Sequence, residues 1–283
     1  MKKSAVWRRF IRRKGTIIGC VILAFMFFTA AFGPFLLSTF TERDPNEIDL
    51  ANTYAGISME HPLGTDSLGR DTMTRMIYGA QISLLVSFSG VALGAIAGVI
   101  LGVISGYFGG ATDTLISRFL DILMAFPGLL LAILVVSILG NGLVNTILAI
   151  SIYSIPSIAR LVRGIVITLK RREFVQACKT FGASSLRIIA NHILPNCSSL
   201  IIVDITLSLG TAILTSSSLS FLGLGVQPPT AEWGSMLNTA RDALRMQPLA
   251  AVVPGIAITL VVLSFSMVGD GLRDALDPKL KNS

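Results

Sequence analysis

Charge is scarce in this sequence. Only 14% of its 283 residues are Asp, Glu, Lys or Arg, against roughly a quarter in an ordinary soluble domain. An exterior this poor in charge cannot all face water, which excludes a water-soluble globular fold. Cysteine is scarce too: Cys20, Cys178 and Cys197 show no metal-ligand spacing and read as reduced structural thiols. The two histidines, His61 and His192, fall in polar segments expected on opposite sides of a bilayer. A shared metal site or a Ser-His-Asp triad is therefore not expected. No Gly-x-x-x-x-Gly-Lys-Ser/Thr phosphate loop is present, so the chain is not expected to hydrolyse ATP itself. No catalytic residue, metal site or cofactor is assigned.

Apolar residues fill the space that charge leaves. They make up 52% of the chain, with a mean hydropathy of +0.74, in runs long enough to cross a hydrocarbon core of about 20 helical residues. The runs are continuous and do not alternate, which favours helices over a barrel. An all-α membrane protein with six spans follows, at about 15–40, 79–107, 115–139, 143–169, 197–222 and 249–269. Pro127 is expected to kink the third span, and Pro156 lies within the fourth. The basic start (Lys2, Lys3, Arg8, Arg9, Arg12, Arg13, Lys14) precedes an apolar run longer than the roughly 7–15 residues of a signal-peptide core. It reads as an anchor that also directs insertion.

The net charge of +7 does not point to nucleic acid, because the basic residues flank apolar spans and no aromatic platform interleaves them. With the N-terminus inside, only Arg43, Arg70, Arg75, Arg241 and Arg245 of the 23 Lys and Arg fall in outer segments. That skew places both termini in the cytoplasm. It makes 41–78 an extracytoplasmic loop and 170–195 a cytoplasmic one.

Gly90, Gly94, Gly98, Gly102 and Gly106 recur every fourth residue in the second span. At 3.6 residues per turn they form a slowly drifting stripe without side chains, suited to close approach of a neighbouring helix.

The segment 173–195 is long for a connection between membrane helices. Two short helices separated by Gly182 are expected, Glu173 to Phe181 and Ser184 to Ile193, with Ser184 or Ser185 capping the second. Pro195 would mark entry into the fifth span. Such a knob suits docking of a soluble partner.

These residues resemble the EAA loop of ABC-importer permeases. That loop has the pattern Glu-Ala-Ala, then a glycine four residues after the last Ala, then a terminal Leu-Pro. The matching positions are Gln176, Ala177, Cys178, Gly182, Leu194 and Pro195. Gln176 stands in place of the usual Glu, Cys178 in place of the second Ala, and His192 where Ile is usual. The Gln176 replacement removes a salt bridge to the ATPase. Phe174 and Ala183 belong to the same coupling segment.

Three further stretches, in the correct order, resemble the C-type permease of the dipeptide, oligopeptide, glutathione and nickel branch. They are His61-Pro-Leu-Gly-Thr-Asp-Ser-Leu-Gly-Arg-Asp71, then Ser220-Phe-Leu-Gly-Leu-Gly-Val-Gln-Pro-Pro229 with Glu232-Trp-Gly234, and Gly269-Asp-Gly-Leu-Arg-Asp-Ala-Leu-Asp-Pro278. The resemblance implies a type I (MetI-like) importer permease in the bacterial inner membrane. It also implies a second homologous permease, two ABC ATPase subunits on the cytoplasmic loops and an extracytoplasmic solute-binding protein. Peptides or glutathione are the expected solutes, with nickel chelates as the alternative. A secondary transporter or simple channel would not need the 170–195 knob, and a secondary transporter would be expected to show inverted repeats.

Two carboxylates fall in or near apolar spans, where they are costly. Asp121 would meet headgroups or Arg118, and Asp204 would line the pathway or pair with the partner permease. Trp233 and Tyr54 are expected at the membrane surface or against the binding protein, and the acidic loop 41–71 is a candidate docking surface for that protein.

Overall fold

The structure, a computed structural model, describes residues 10–11, 13–41 and 43–276. Lys2, Lys3, Arg8, Arg9, Arg12, Glu42 and the tail 277–283 lie outside the described residues. Among the described residues the regular structure is helical, and the one β-type pairing is the isolated Thr65–Asp71 bridge.

The first helix, α1 (Lys14–Phe40), presents Phe25, Phe28, Phe32 and Phe35 outward, as a helix does whose solvent is lipid. The second, α2 (Thr72–Phe108), runs 37 residues. It begins at Thr72 because the Asp71 carboxylate accepts from the Thr74 amide at 2.7 Å, which satisfies one of the free amides of the first turn. The loop before it therefore ends at Asp71, seven residues short of the expected 78.

The third apolar run differs from the single kinked helix expected over 115–139. It is two helices, α3 (Gly110–Met124) and α4 (Gly128–Leu139), meeting at 91°. Pro127 has extended backbone angles and no amide hydrogen, so the hydrogen-bond ladder stops there and does not merely bend. The next helix, α5 (Leu143–Lys170), is followed by the short α6 (Glu173–Thr180).

The helix expected to end at Ile193 instead continues. Ser185–Phe221 forms one 37-residue helix, α7, with a π turn at Ile189–Ile193. In this turn the Leu194 amide bonds back five residues to the Ile189 carbonyl. Pro195, next in line, has no amide to give and would crowd the carbonyl four residues earlier, and the wider turn accommodates it. Helices α8 (Trp233–Ala240) and α9 (Leu249–Leu276) complete the chain. Among the described residues five helices are long and apolar enough to cross a membrane, or six when the α3–α4 pair counts as one.

Three buried clusters form the core among the described residues: a small one of Ala132, Val136, Ala149 and Leu219, and two larger ones. One joins Leu23, Leu84, Ile150, Ile213, Trp233, Val261 and Phe265 from α1, α2, α5, α7, α8 and α9. The other joins Val103, Tyr107, Val162, Val166, Val175, Ile188 and Cys197, and so fastens α6 to the ends of α2, α5 and α7. The glycine stripe lies along the α2–α5 seam. Gly90 faces Ile150, Gly94 faces Ser151 and Ser154, Gly98 faces Ile158, Gly102 faces Ala159 and Val162, and Gly106 faces Arg163 and Val166. Both series ascend together, so the helices run parallel. A methyl group at Gly102 would sit 2.5 Å from the Ala159 carbonyl oxygen, which leaves no room for a side chain.

Candidate functional site

The segment 173–195 projects as a folded knob. Val175 is buried and Cys178 half-buried against Tyr107, Val166, Ile188 and Ile193, with Ala183 and Leu194 packed at the edge of the same cluster. The opposite face is open: Phe174, Ala177, Phe181 and Leu186 are exposed, Phe181 by 89% and Leu186 by 79%. Large apolar side chains this bare on a polar segment mark a contact surface.

The turn between α6 and α7 depends on Gly182. Its φ is +75°; the Ala183 amide bonds to the Cys178 carbonyl and the Gly182 amide to that of Lys179, both at 3.0 Å. This pair of bonds closes a helix end through a left-handed residue, which glycine adopts without penalty. Nothing crowds Gly182 within the chain, so its requirement here is conformational. Ser184 caps the following helix by accepting from the Arg187 amide at 3.4 Å.

Gln176 is exposed, and its Nε2 donates to the Lys170 carbonyl at 2.8 Å. The ring of His192 lies 6.4 Å from that of Phe174. Lys170 and Lys179 place their ammonium groups 5.6 Å and 5.4 Å from the Tyr107 ring centroid, an attraction between cation and π face that ties α6 to α2. Pro195 is exposed at the π turn.

Two ion pairs clamp α3 to α5. Arg163 grips Asp113 side-on, Nε and Nη2 donating to its two oxygens at 2.6 and 2.7 Å, and Arg160 meets Asp121 at 2.7 Å. Asp121 is thus partnered by Arg160, not by Arg118 as the sequence suggested. Asp204 lies on α7 with its Oδ2 buried and without a hydrogen-bond partner.

The loop between α1 and α2 is fixed to the helices. Arg75, with 4% of its side chain exposed, donates to the Pro45 and Pro229 carbonyls and to Asn46. Arg70 pairs with Asp66 at 2.7 Å, and Asp71 takes His61 at 3.0 Å. Trp233 is 1% exposed, with Nε1 donating to the Met76 carbonyl and its amide to Ser83 Oγ, both at 3.1 Å. It is therefore a core anchor and not a surface contact. Beside it Glu232 is fully buried, capping α8 through the Ser235 amide at 2.8 Å and accepting from Ser83 at 3.2 Å. Burial pushes its carboxyl above the ordinary value of 4.5, against hydrogen bonds that pull it down. This burial is not legible in the residue order, since a lone Glu before a Trp in a loop reads as solvated.

The family model for "Binding-protein-dependent transport system inner membrane component" matches residues 98–282, and that for the "N-terminal TM domain of oligopeptide transport permease C" matches residues 4–55. The chain belongs to the binding-protein-dependent inner membrane permeases. It is an ABC-importer permease of the peptide branch.

This permease is 48% identical over 275 residues to the glutathione transport system permease protein GsiD of Escherichia coli O6:K15:H31 (strain 536 / UPEC), covering 97% of this chain and 90% of the relative. The protein of the same name from Shigella boydii serotype 4 (strain Sb227) gives the same values. Two inward-facing crystal forms of the MetNI methionine ABC transporter share the permease's fold. The first, a selenomethionine soak, has a TM-score of 0.60 at 18% identity over 73% of this chain and 98% of that one. The second, the native form, has a TM-score of 0.56 at 18% identity over 71% and 97%. The type I importer fold expected from sequence is borne out, and the permease is an inner membrane component.

Proposed function

We propose that this permease carries glutathione or short peptides into the cytoplasm as one half of a heterodimeric pore with a second, homologous permease. The relatives at 48% identity over nearly the whole chain carry the glutathione name, and that likeness supports the solute class. Two ATPase subunits supply the energy, and a solute-binding protein delivers cargo to the outer face, where the 41–71 loop receives it. Both termini and the 170–195 segment face the cytoplasm.

The observation that carries the coupling role is the exposed apolar face of α6, with Phe174, Ala177 and Phe181 bare on a helix otherwise anchored by Val175. An ATPase cleft gripping this face would move α6. Because α6 shares a core with α2, α5 and α7, its displacement would reach the spans. Gln176, Cys178, Gly182, Ala183, His192, Leu194 and Pro195 shape and seat that lever.

Reconstitution of the full transporter with radiolabelled glutathione and dialanine tests the reading. ATP-dependent uptake is expected from the wild type. Ala177→Trp, at an exposed position, is expected to leave the membrane core folded and to abolish most uptake. Normal uptake by that variant would remove the coupling role. Labelling of Cys178 in intact cells by a reagent that cannot cross the bilayer would reverse the topology.

A further inference from the structure

Along α7, Asp204, Ser208, Thr211, Thr215 and Ser218 follow one another at intervals of four, three, four and three. That spacing places all five on one face of a helix. In the middle of that face Ser208 and Thr211, with Leu207, line a groove whose other wall is α5, through Tyr153, Ser154 and Ser157. A polar groove therefore lies between the two helices, with Asp204 one helical turn from Ser208 along α7.

The hydrogen bonds bias several of these hydroxyls toward accepting. The Thr211 hydroxyl donates to the Ser208 carbonyl at 2.9 Å, Thr215 to that of Thr211 at 2.9 Å, Ser218 to that of Leu214 at 2.7 Å, and Ser154 to that of Ile150 at 2.8 Å. A hydroxyl has one hydrogen and two lone pairs. At these four hydroxyls the hydrogen is spent on the helix's own backbone and acceptor capacity remains, whereas the Tyr153, Ser157 and Ser208 hydroxyls of the groove can both donate and accept.

Asp204 continues the pattern, since an ionised carboxylate only accepts. Its buried Oδ2 has no partner. The two arginines of the facing helix are engaged elsewhere, Arg160 by Asp121 and Arg163 by Asp113. A carboxylate without a counterion at membrane depth is costly, and a passing cation would supply the missing partner.

We propose that the α5–α7 groove is a cation-guiding track in which Asp204 receives the free ammonium group of a peptide while the hydroxyl oxygens accept from its N–H groups. This rests on the peptide-import reading above and adds to it which end of the solute is recognised and by which residue. Peptide backbones carry N–H donors whatever their side chains, so an acceptor-lined track tolerates varied sequences while holding the amino end.

The test uses the complete transporter in proteoliposomes, with Ser208→Cys as a reporter in the groove. Modification of position 208 by cationic aminoethyl methanethiosulfonate and by anionic sulfonatoethyl methanethiosulfonate is followed by mass spectrometry, each rate normalised to a free thiol in solution. The cation is expected to react about tenfold faster, and adding Asp204→Asn is expected to bring the ratio close to one. Equal rates in the parent, or a ratio unmoved by Asp204→Asn, would overturn the track.

With saturating loaded binding protein, Asp204→Asn is also expected to slow uptake of glutathione and dialanine at least severalfold, with Asp204→Glu restoring it. Wild-type uptake by Asp204→Asn would sink the assignment. Loss of the second permease on purification of Asp204→Asn would do the same, by making Asp204 a subunit contact. If the wild type imports neither peptide, the peptide reading fails, while the reagent ratio still judges the groove by itself.

Discussion

Gln176 reaches back from the first turns of α6 and donates its side-chain amide to the carbonyl oxygen of Lys170, the last residue of α5. A glutamate, usual at this position in the resembling permeases, is an acceptor when ionised and cannot make that bond. The replacement therefore exchanges a charge offered to a partner for a tether within the chain. Gln176→Glu is expected to loosen α6 by about 1 kcal/mol, the net worth of one hydrogen bond. Amide exchange across Glu173–Thr180 should quicken about fivefold at that cost. Unchanged exchange would show that the tether contributes nothing.

The glycine stripe makes a sharper prediction. At Gly102 an added methyl meets the Ala159 carbonyl oxygen, a backbone atom that cannot rotate away, whereas at Gly164 nothing lies within 4 Å. Gly102→Ala is expected to destabilise by about 1–3 kcal/mol as α2 and α5 are forced apart. Gly164→Ala should stay within about 0.5 kcal/mol of wild type. Thermal unfolding of the two purified variants in detergent checks the contrast.

Gly182 is constrained by its backbone angle. Alanine at φ +75° costs about 1–2 kcal/mol, and asparagine less, because it visits the left-handed region more readily. Gly182→Ala is expected to lower solute carried per ATP hydrolysed, and Gly182→Asn to recover much of it. Equal coupling in all three chains would remove the turn from the lever.

Glu232 sets a pH dependence. Its carboxyl is raised by burial, so the folded state holds a proton that the unfolded state releases at lower pH. Its contribution to stability is fully present below the ordinary 4.5 and is lost as pH rises through the folded value. Glu232→Gln carries no such proton. The melting temperature of the variant relative to wild type should therefore climb from pH 5 to pH 8, and a flat difference would refute the assignment.

Much of this was legible in the linear pattern. The apolar runs needed only hydropathy to read as membrane helices, and the five glycines needed only the helical repeat to read as a bare stripe. The Gly182 turn followed from residue type. The right angle at Pro127 was not legible, because a proline in an apolar run is compatible with a mild kink or a full break, and the surrounding helices decide between them. Nor was the continuity of α7 through Pro195, which rests on a π turn that no residue in 189–193 announces. Trp233 shows the same limit: an aromatic next to a polar loop looks like a surface anchor until α2 is seen to offer it Met76 and Ser83.

The order of residues alone determined that this chain is solvated by lipid, since too few charges exist to cover it in water, and that a polar knob interrupts the fourth and fifth apolar runs. Tertiary structure alone decided which polar groups are spent and which remain free. Glu232, Arg75 and Asp113 are held by groups distant in the chain, whereas Asp204 Oδ2 has no partner among the described residues. Pairing depends on distances of a few ångströms between helices, and those distances are set by how the helices pack.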